Sequence, residues 1–199
     1  MLFIGLTGGI GSGKSEALAA CRRAGAAVLS SDQVVHDLLG TGEVRDLLAA
    51  RWGDAVLADG KIDRAAVAQI VFNQPDELRW LEQHLFPLVG AEMGAWRAEL
   101  EAQADPPPVA VVEVPLLFEA GAEGAFDATV AIVADEELRA RRAGGRDHLA
   151  VAERAARQLS QEEKASRADH VIRNDGSLED LERAVGELLE RLAAERAGS

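Results

Sequence analysis

Tyrosine is absent from this 199-residue chain, aromatic residues amount to 4% of it, and cysteine occurs once, at Cys21. A single cysteine excludes an internal disulfide and any cysteine-cluster metal site, and its place among helix formers reads as small core filler. The histidines form no His-x-x-x-His pair or Cys/His set, so no tightly held transition metal is expected. Lysine is almost as scarce, at Lys14, Lys61 and Lys164 alone, against a formal net charge of −13. That acidic excess argues against the broad basic surface of a nucleic-acid binder, so any polyanionic ligand must meet local positive charge. Long apolar runs are missing too. None approaches the roughly 18 residues of a membrane span, and no basic segment precedes the short apolar run at the N-terminus. The expectation is a cytoplasmic protein with neither membrane nor nucleic acid as partner. With 48% apolar and 28% charged residues, and neither low-complexity tract nor repeat, the chain suits one globular domain or a core with a modest insertion.

What is present is a complete phosphate-binding loop, Gly8-Gly9-Ile10-Gly11-Ser12-Gly13-Lys14-Ser15, directly after the apolar run Leu2-Phe3-Ile4-Gly5-Leu6. In the pattern G-x-x-x-x-G-K-[ST], glycines such as Gly9, Gly11 and Gly13, with Ser12, let backbone N–H groups turn inward around a polyphosphate. Lys14 then reaches the β/γ phosphates, and Ser15 ligates Mg²⁺. The run Glu16-Ala17-Leu18-Ala19-Ala20 starts a helix whose N-terminal N–H groups face the anion. The motif implies a nucleoside triphosphate but no particular reaction.

Further along, Ala26 to Ser30 reads as a second strand ending at Asp32, and two roles are open for that carboxylate. It lies at the carboxyl edge, where open parallel sheets bind ligands, or Ser31 or Asp32 caps the next helix. From Gly40 to about Ala104 strand signals give way to helical periodicity, which predicts a helical insertion over 40–104 between core segments 1–39 and 105–199. Within it Asp63 is placed to cap a helix through Phe72, and Pro87 is expected to kink or divide a longer one. Trp80, Phe86 and Trp96 read mostly as core.

After Pro106-Pro107-Pro108 the core resumes with Val109-Ala110-Val111-Val112-Glu113, a run suited to a strand buried on both faces. Glu113 is a candidate for holding Mg²⁺, or else an ion-pair residue. Glu119 anchors the exit loop or touches an acceptor. Another strand is expected over 128–133. Arg139, Arg141, Arg142 and Arg146 then gather around Gly144-Gly145, the composition of a hinged arginine lid at about 137–165 that stabilises charge on transferring phosphates. Arg154 and Arg157 extend it. A last strand, Asp169 to Asn174, precedes a helix capped by Ser177 and Asp180.

A GTPase would carry a guanine-reading Asn-Lys-x-Asp stretch, which is absent, and the chain is short for a motor. A small-molecule kinase accounts for the insertion, the lid and Asp32 as a hydroxyl-proton acceptor together. A nucleoside monophosphate kinase and a non-enzymatic nucleotide-binding regulator are the alternatives.

The segments Gly5 to Ser15, Asp32-Gln33-Val34-Val35-His36, Asp59-Gly60-Lys61-Ile62-Asp63-Arg64, Pro115-Leu116-Leu117-Phe118-Glu119, Gln158 with Lys164, and Ala168 to Asn174 resemble, in order and spacing, the dephospho-coenzyme A kinases. The resemblance spans nearly the whole chain. It implies a P-loop NTPase fold of α/β class, with five parallel strands, a helical acceptor domain and a helical lid. It also implies ATP-dependent phosphorylation of a ribose 3′-hydroxyl with Mg²⁺. Asp32 would be the base, Arg64 would lie near the acceptor, Asn174 near adenine, and Arg142 or Arg146 would be the phosphate-binding lid arginine. There are three departures from the usual pattern. Ser30-Ser31 replaces Asp-Ala, Phe86 stands where the family has His before Pro87, and Glu16 follows the loop serine in place of Thr. Oligomeric state has no sequence signal.

Overall fold

In the computed structural model, residues 1–143 and 158–198 are described. Five strands form one parallel sheet: β1 (Leu2–Gly8), β2 (Ala27–Ser30), β5 (Val109–Glu113), β6 (Ala128–Val133) and β7 (His170–Arg173), in the order β2-β5-β1-β6-β7. The near-continuous apolar runs of β1, β5 and β6 are buried along their whole length, as central strands covered on both faces must be. Alternate residues divide those faces. Leu2, Ile4 and Leu6 pack with Val109, Val111, Val130 and Ile132 beneath α1 (Lys14–Arg23) and the C-terminal helix α8 (Leu178–Ala197). On β1's other set, Phe3 stacks on Phe126 at 5.1 Å and Thr7 meets Lys164 of α7 (Gln161–Arg167). The expected capping box at Ser177 and Asp180 starts α8, and another at Ser160 and Glu163 starts α7. The fold is thus a five-stranded parallel sheet flanked by helices.

Cys21 is buried in α1, and burial pushes its thiol up to about 12. An unfolded thiol titrates near 9.0, so between about pH 9 and pH 12 the unfolded chain releases a proton that the native state keeps. Stability should therefore fall through that window. In Cys21→Ala the alkaline decline should be shallower, which denaturant melts between pH 8.5 and 11 would detect.

The chain divides into two compact units, Met1–Ser30 with Arg97–Ser199, and Ser31–Trp96. The second takes in α2 (Ser31–Leu38), α3 (Gly42–Trp52), α4 (Arg64–Asn73) and most of α5 (Pro75–Glu101). Its buried residues include Val34, Leu38, Val44, Leu48, Val67, Val71, Leu81, Leu85 and Met93. As expected, Asp63 caps α4, its Oδ1 accepting from the N–H groups of Ala65 at 2.9 Å and Ala66 at 3.2 Å.

Two expectations change here. The stretch is not purely helical, because β3 (Leu57–Ala58) and β4 (Lys61–Ile62) form a short antiparallel hairpin. Asp59 and Gly60 turn it with φ of 51° and 75°, the left-handed pair a tight hairpin needs. Nor does Pro87 divide α5, which runs unbroken from Pro75 to Glu101. Proline removes only the bond to the Gln83 carbonyl, and both residues are exposed, where solvent can replace it. Phe86 beside it is also exposed rather than core.

Candidate active site

Residues 9–13 connect the carboxyl end of the central strand β1 to the first turn of α1. Gly11 and Gly13 have φ of 77° and 92°, in the region that favours glycine. Space matters as much as φ at Gly13. A Cβ there would lie 2.2 Å from Asn174 Nδ2, which itself donates to the Ser12 carbonyl at 2.8 Å. Asn174 is buried just beyond β7, held by its own N–H to the Val133 carbonyl at 2.8 Å. It therefore props the loop from beneath as well as lining the cavity beside it. Gly13→Ala should lower ATP affinity by at least about tenfold, equivalent to 1.4 kcal/mol, because both φ and the Asn174 contact must give way. Isothermal titration with ATP would measure it.

Inside the loop, Lys14 Nζ donates to the Gly9 carbonyl at 3.1 Å. Ser12 Oγ is buried and has no hydrogen-bond partner. Such a hydroxyl is costly unless a ligand completes it. Ser15 and Glu16 are exposed in the first turn of α1. A cavity of about 480 Å³ lies alongside, lined by Lys14, Ser15, Glu16, Asn174, Gly176 and Leu178 among others. Its combination of loop glycines, cations and an apolar side chain suits a nucleotide, with phosphates at one end and a base at the other.

From α6 (Glu136–Ala143) two arginines reach this region. Arg142 Nη1 donates to the Asn174 carbonyl at 3.1 Å, and Arg139 Nε donates to the Ile10 carbonyl at 3.1 Å. Arg139 had no distinguishing signal within its basic run, since its partner lies 129 positions away. Arg146, Arg154 and Arg157 and the Gly144-Gly145 joint fall outside the described residues.

Glu113 ends β5, buried, in register with Leu6 of β1 and Ser30 of β2. Five residues into the following loop region, Phe118 is buried and Glu119 makes a definite set of contacts. Its Oε1 accepts from the Leu159 N–H at 2.8 Å and from Lys164 Nζ at 2.8 Å. Lys164 is fully buried and donates further to the Pro115 carbonyl at 2.7 Å and Thr7 Oγ1 at 3.4 Å. Burial holds its pKa below the usual lysine value, with Glu119 pulling the other way. Glu119 thus anchors the loop through Oε1, while its Oε2 is buried without a partner among the described residues, so the acceptor role also stays open.

The remaining candidates belong to the second unit. Asp32 lies two residues beyond the end of β2, exposed and inside the first turn of α2, which begins at Ser31. Arg64 opens α4, and its Nη1 meets His36 Nδ1. Both line a cavity of about 570 Å³ with Arg45, Lys61 and the Asp59-Gly60 turn. Three of its cations, Arg45, Lys61 and Arg64, come from separate elements, so the pocket offers local positive charge to an anionic ligand. The Asp-Gly turn was the available signal for its hairpin wall.

A family model for dephospho-CoA kinase matches residues 2–180. The chain belongs to the dephospho-CoA kinase family. A dephospho-CoA kinase of Frankia casuarinae is 37% identical over 98% of this chain and 86% of its own length. Among solved structures, TT1252 from Thermus thermophilus is 37% identical, with a TM-score of 0.79 over 96% of this chain and 97% of its own. The dephospho-CoA kinase from Campylobacter jejuni is 26% identical, with a TM-score of 0.72 over 98% of each chain. As a dephospho-CoA kinase family member, the chain has the P-loop NTPase fold expected from Gly8 to Ser15, and the kinase reading displaces the alternatives.

Proposed function

We propose that this chain transfers the γ-phosphoryl group of ATP to the ribose 3′-hydroxyl of dephospho-coenzyme A, giving coenzyme A and ADP. The observation that carries the reading is the phosphate loop on the central strand, propped by Asn174 and flanked by α6 arginines, in a chain of this family. The backbone of Gly9, Gly11, Ser12 and Gly13, with Lys14, would hold the donor phosphates, and the unpartnered Ser12 hydroxyl suits an added phosphate oxygen. Asn174 and Leu178 would border the adenine, and Glu16 the outer rim.

The hydroxyl of Ser15 and the carboxylate of Glu113 are hard oxygen donors of the kind Mg²⁺ takes beside substrate phosphates, so the residues present fit that ion. Ser15 and Glu113 would hold it there, and it would supply positive charge to offset that of the phosphates. Asp32 would orient the acceptor hydroxyl and take its proton. Arg64, with the cavity it lines, would receive the acceptor's own phosphates, and Glu119, whose Oε2 is buried without a partner, would serve the acceptor side. Arg142 and Arg146 would neutralise charge over the donor. We place the reaction in the cytoplasm; among the described residues no helix is long and apolar enough to cross a membrane.

Coupled measurement of ADP release separates the readings. Turnover with dephospho-coenzyme A, and none with nucleoside monophosphates or without acceptor, is the expected result. ADP release independent of dephospho-coenzyme A would refute the assignment.

A further inference from the structure

Arg64 is held by a group that does not neutralise it. Its Nη1 donates to His36 Nδ1, from α4 to α2, and among the described residues it makes no ion pair with a carboxylate. That is unusual company in a chain with 34 acidic side chains against 21 basic ones. Arg45, on the same cavity, is instead forked onto Asp46, its Nε at 2.9 Å and its Nη2 at 2.7 Å from Oδ1. A carboxylate cancels charge as it fixes a guanidinium, whereas a neutral imidazole fixes the group and leaves its charge for an anion.

The contact also fixes the state of the ring. A guanidinium has N–H donors and no acceptor, so Nδ1 must carry a lone pair and the proton of the neutral ring must sit on Nε2. Protonated, the ring offers only donors, and the bond to Arg64 is lost. The charged groups that line the cavity with His36 are Arg45 of α3, Lys61 of β4, Arg64 of α4 and the Asp59 carboxylate of the turn. A protonated ring would add a fourth cation to that set. On α2 itself, Asp37 Oδ1 accepts from Gln33 Nε2 at 2.8 Å, and Asp32 stands one turn before His36. Asp32 and His36 therefore share a face of the helix, about 6 Å apart along its axis. The ribose of dephospho-coenzyme A carries its 3′-hydroxyl and its 5′-diphosphate across a comparable span. A base at Asp32 and a guanidinium tethered at His36 match the two ends of that ribose.

We propose, resting on the kinase reading above, that His36 is a positioning residue for the acceptor: its neutral ring aims Arg64 at the acceptor's diphosphate, and a proton on Nδ1 releases it. His36 exchanges no proton with the substrate. The acceptor's diphosphate joins two alcohols and has no ionisation near neutral pH, so the ring and not the ligand supplies the pH dependence of this contact.

The test is steady-state kinetics at saturating ATP, with dephospho-coenzyme A varied, on wild type, His36→Leu and His36→Asn, whose Oδ1 can stand where Nδ1 does. His36→Leu should raise KM for the acceptor roughly three- to tenfold, the worth of one such hydrogen bond, with the loss falling on KM rather than kcat. His36→Asn should recover most of it. From about pH 8 to about pH 5.5, a range over which histidines gain charge, wild-type KM should climb by a similar factor while that of His36→Asn stays level. A wild-type KM in His36→Leu, equal losses in the two variants, or an acceptor KM that stays flat or falls as wild type is acidified overturns the proposal. Should the leucine variant not fold, the pH profiles of wild type and His36→Asn decide it. Nitrogen-15 NMR of the His36 ring at about pH 8 reads the contact without turnover, and a proton on Nδ1 there in place of Nε2 also overturns the proposal. Wild-type protein that fails to turn over dephospho-coenzyme A would sink the kinase reading, and the acceptor role with it, while the ring tautomer still judges the bond to Arg64.

Discussion

Asp32→Asn is expected to lower kcat by roughly 10²- to 10⁴-fold while leaving ATP affinity unchanged, the signature of losing a general base. The substitution is nearly isosteric and the site exposed, so the fold has little reason to respond. Asp32 lies within the first turn of α2, where a carboxylate also interacts favourably with the helix dipole, typically by 0.3–1 kcal/mol. A residue serving only that purpose would show a small drop in Tm and a normal kcat. The proposed base should show the reverse. Single-turnover measurement with saturating dephospho-coenzyme A separates chemistry from product release, and an unchanged single-turnover rate would return Asp32 to helix stabilisation.

Lys164→Met should be the most damaging substitution for stability, by about 3–5 kcal/mol, because it leaves the Glu119 carboxylate without its buried partner. In a domain of this size that corresponds to a fall in Tm of roughly 6–20 °C. The loss extends beyond the ion pair, since the same ammonium bonds the Pro115 carbonyl and Thr7 Oγ1, and so ties α7, β1 and the loop after β5 together. Adding Glu119→Gln to Lys164→Met removes the orphaned charge and should recover part of the deficit. Thermal melts of the single and double variants check this. A single variant as stable as the parent would show that the buried ammonium contributes nothing net, as its desolvation alone would suggest.

Local chemistry made much of this architecture readable. The phosphate loop, the apolar strands, the Asp63 and Ser177 caps and the final amphipathic helix each arise from residues a few positions apart. The hairpin at Leu57 to Ile62 was too short to show alternation, although its Asp-Gly turn was in view. Of the two outcomes open for Pro87, kinking or division, division does not occur, because Leu81, Leu85, Val89 and Met93 are buried along one continuous helix. The contacts that define the site were least visible. Asn174 meets Ser12 across 162 positions, Lys164 meets Thr7 across 157, and Arg139 meets Ile10 across 129. Nothing in a run of arginines or a solitary lysine distinguishes such partners before the sheet brings them together.

The central place of β1 has a consequence for how the chain is made. It leaves the ribosome well before its neighbours, which are residues 109–113 on one side and 128–132 on the other. At synthesis rates of about 5–20 residues per second, Leu2 to Gly8 must wait on the order of 5–20 s for either partner. During that interval both edges of an apolar strand are open to wrong pairing. Asn174, the prop beneath the phosphate loop, emerges later still. Nucleotide can therefore bind the native loop only after Asn174 has emerged, and ATP acts on the assembled sheet as a stabilising ligand rather than as a template for its first steps.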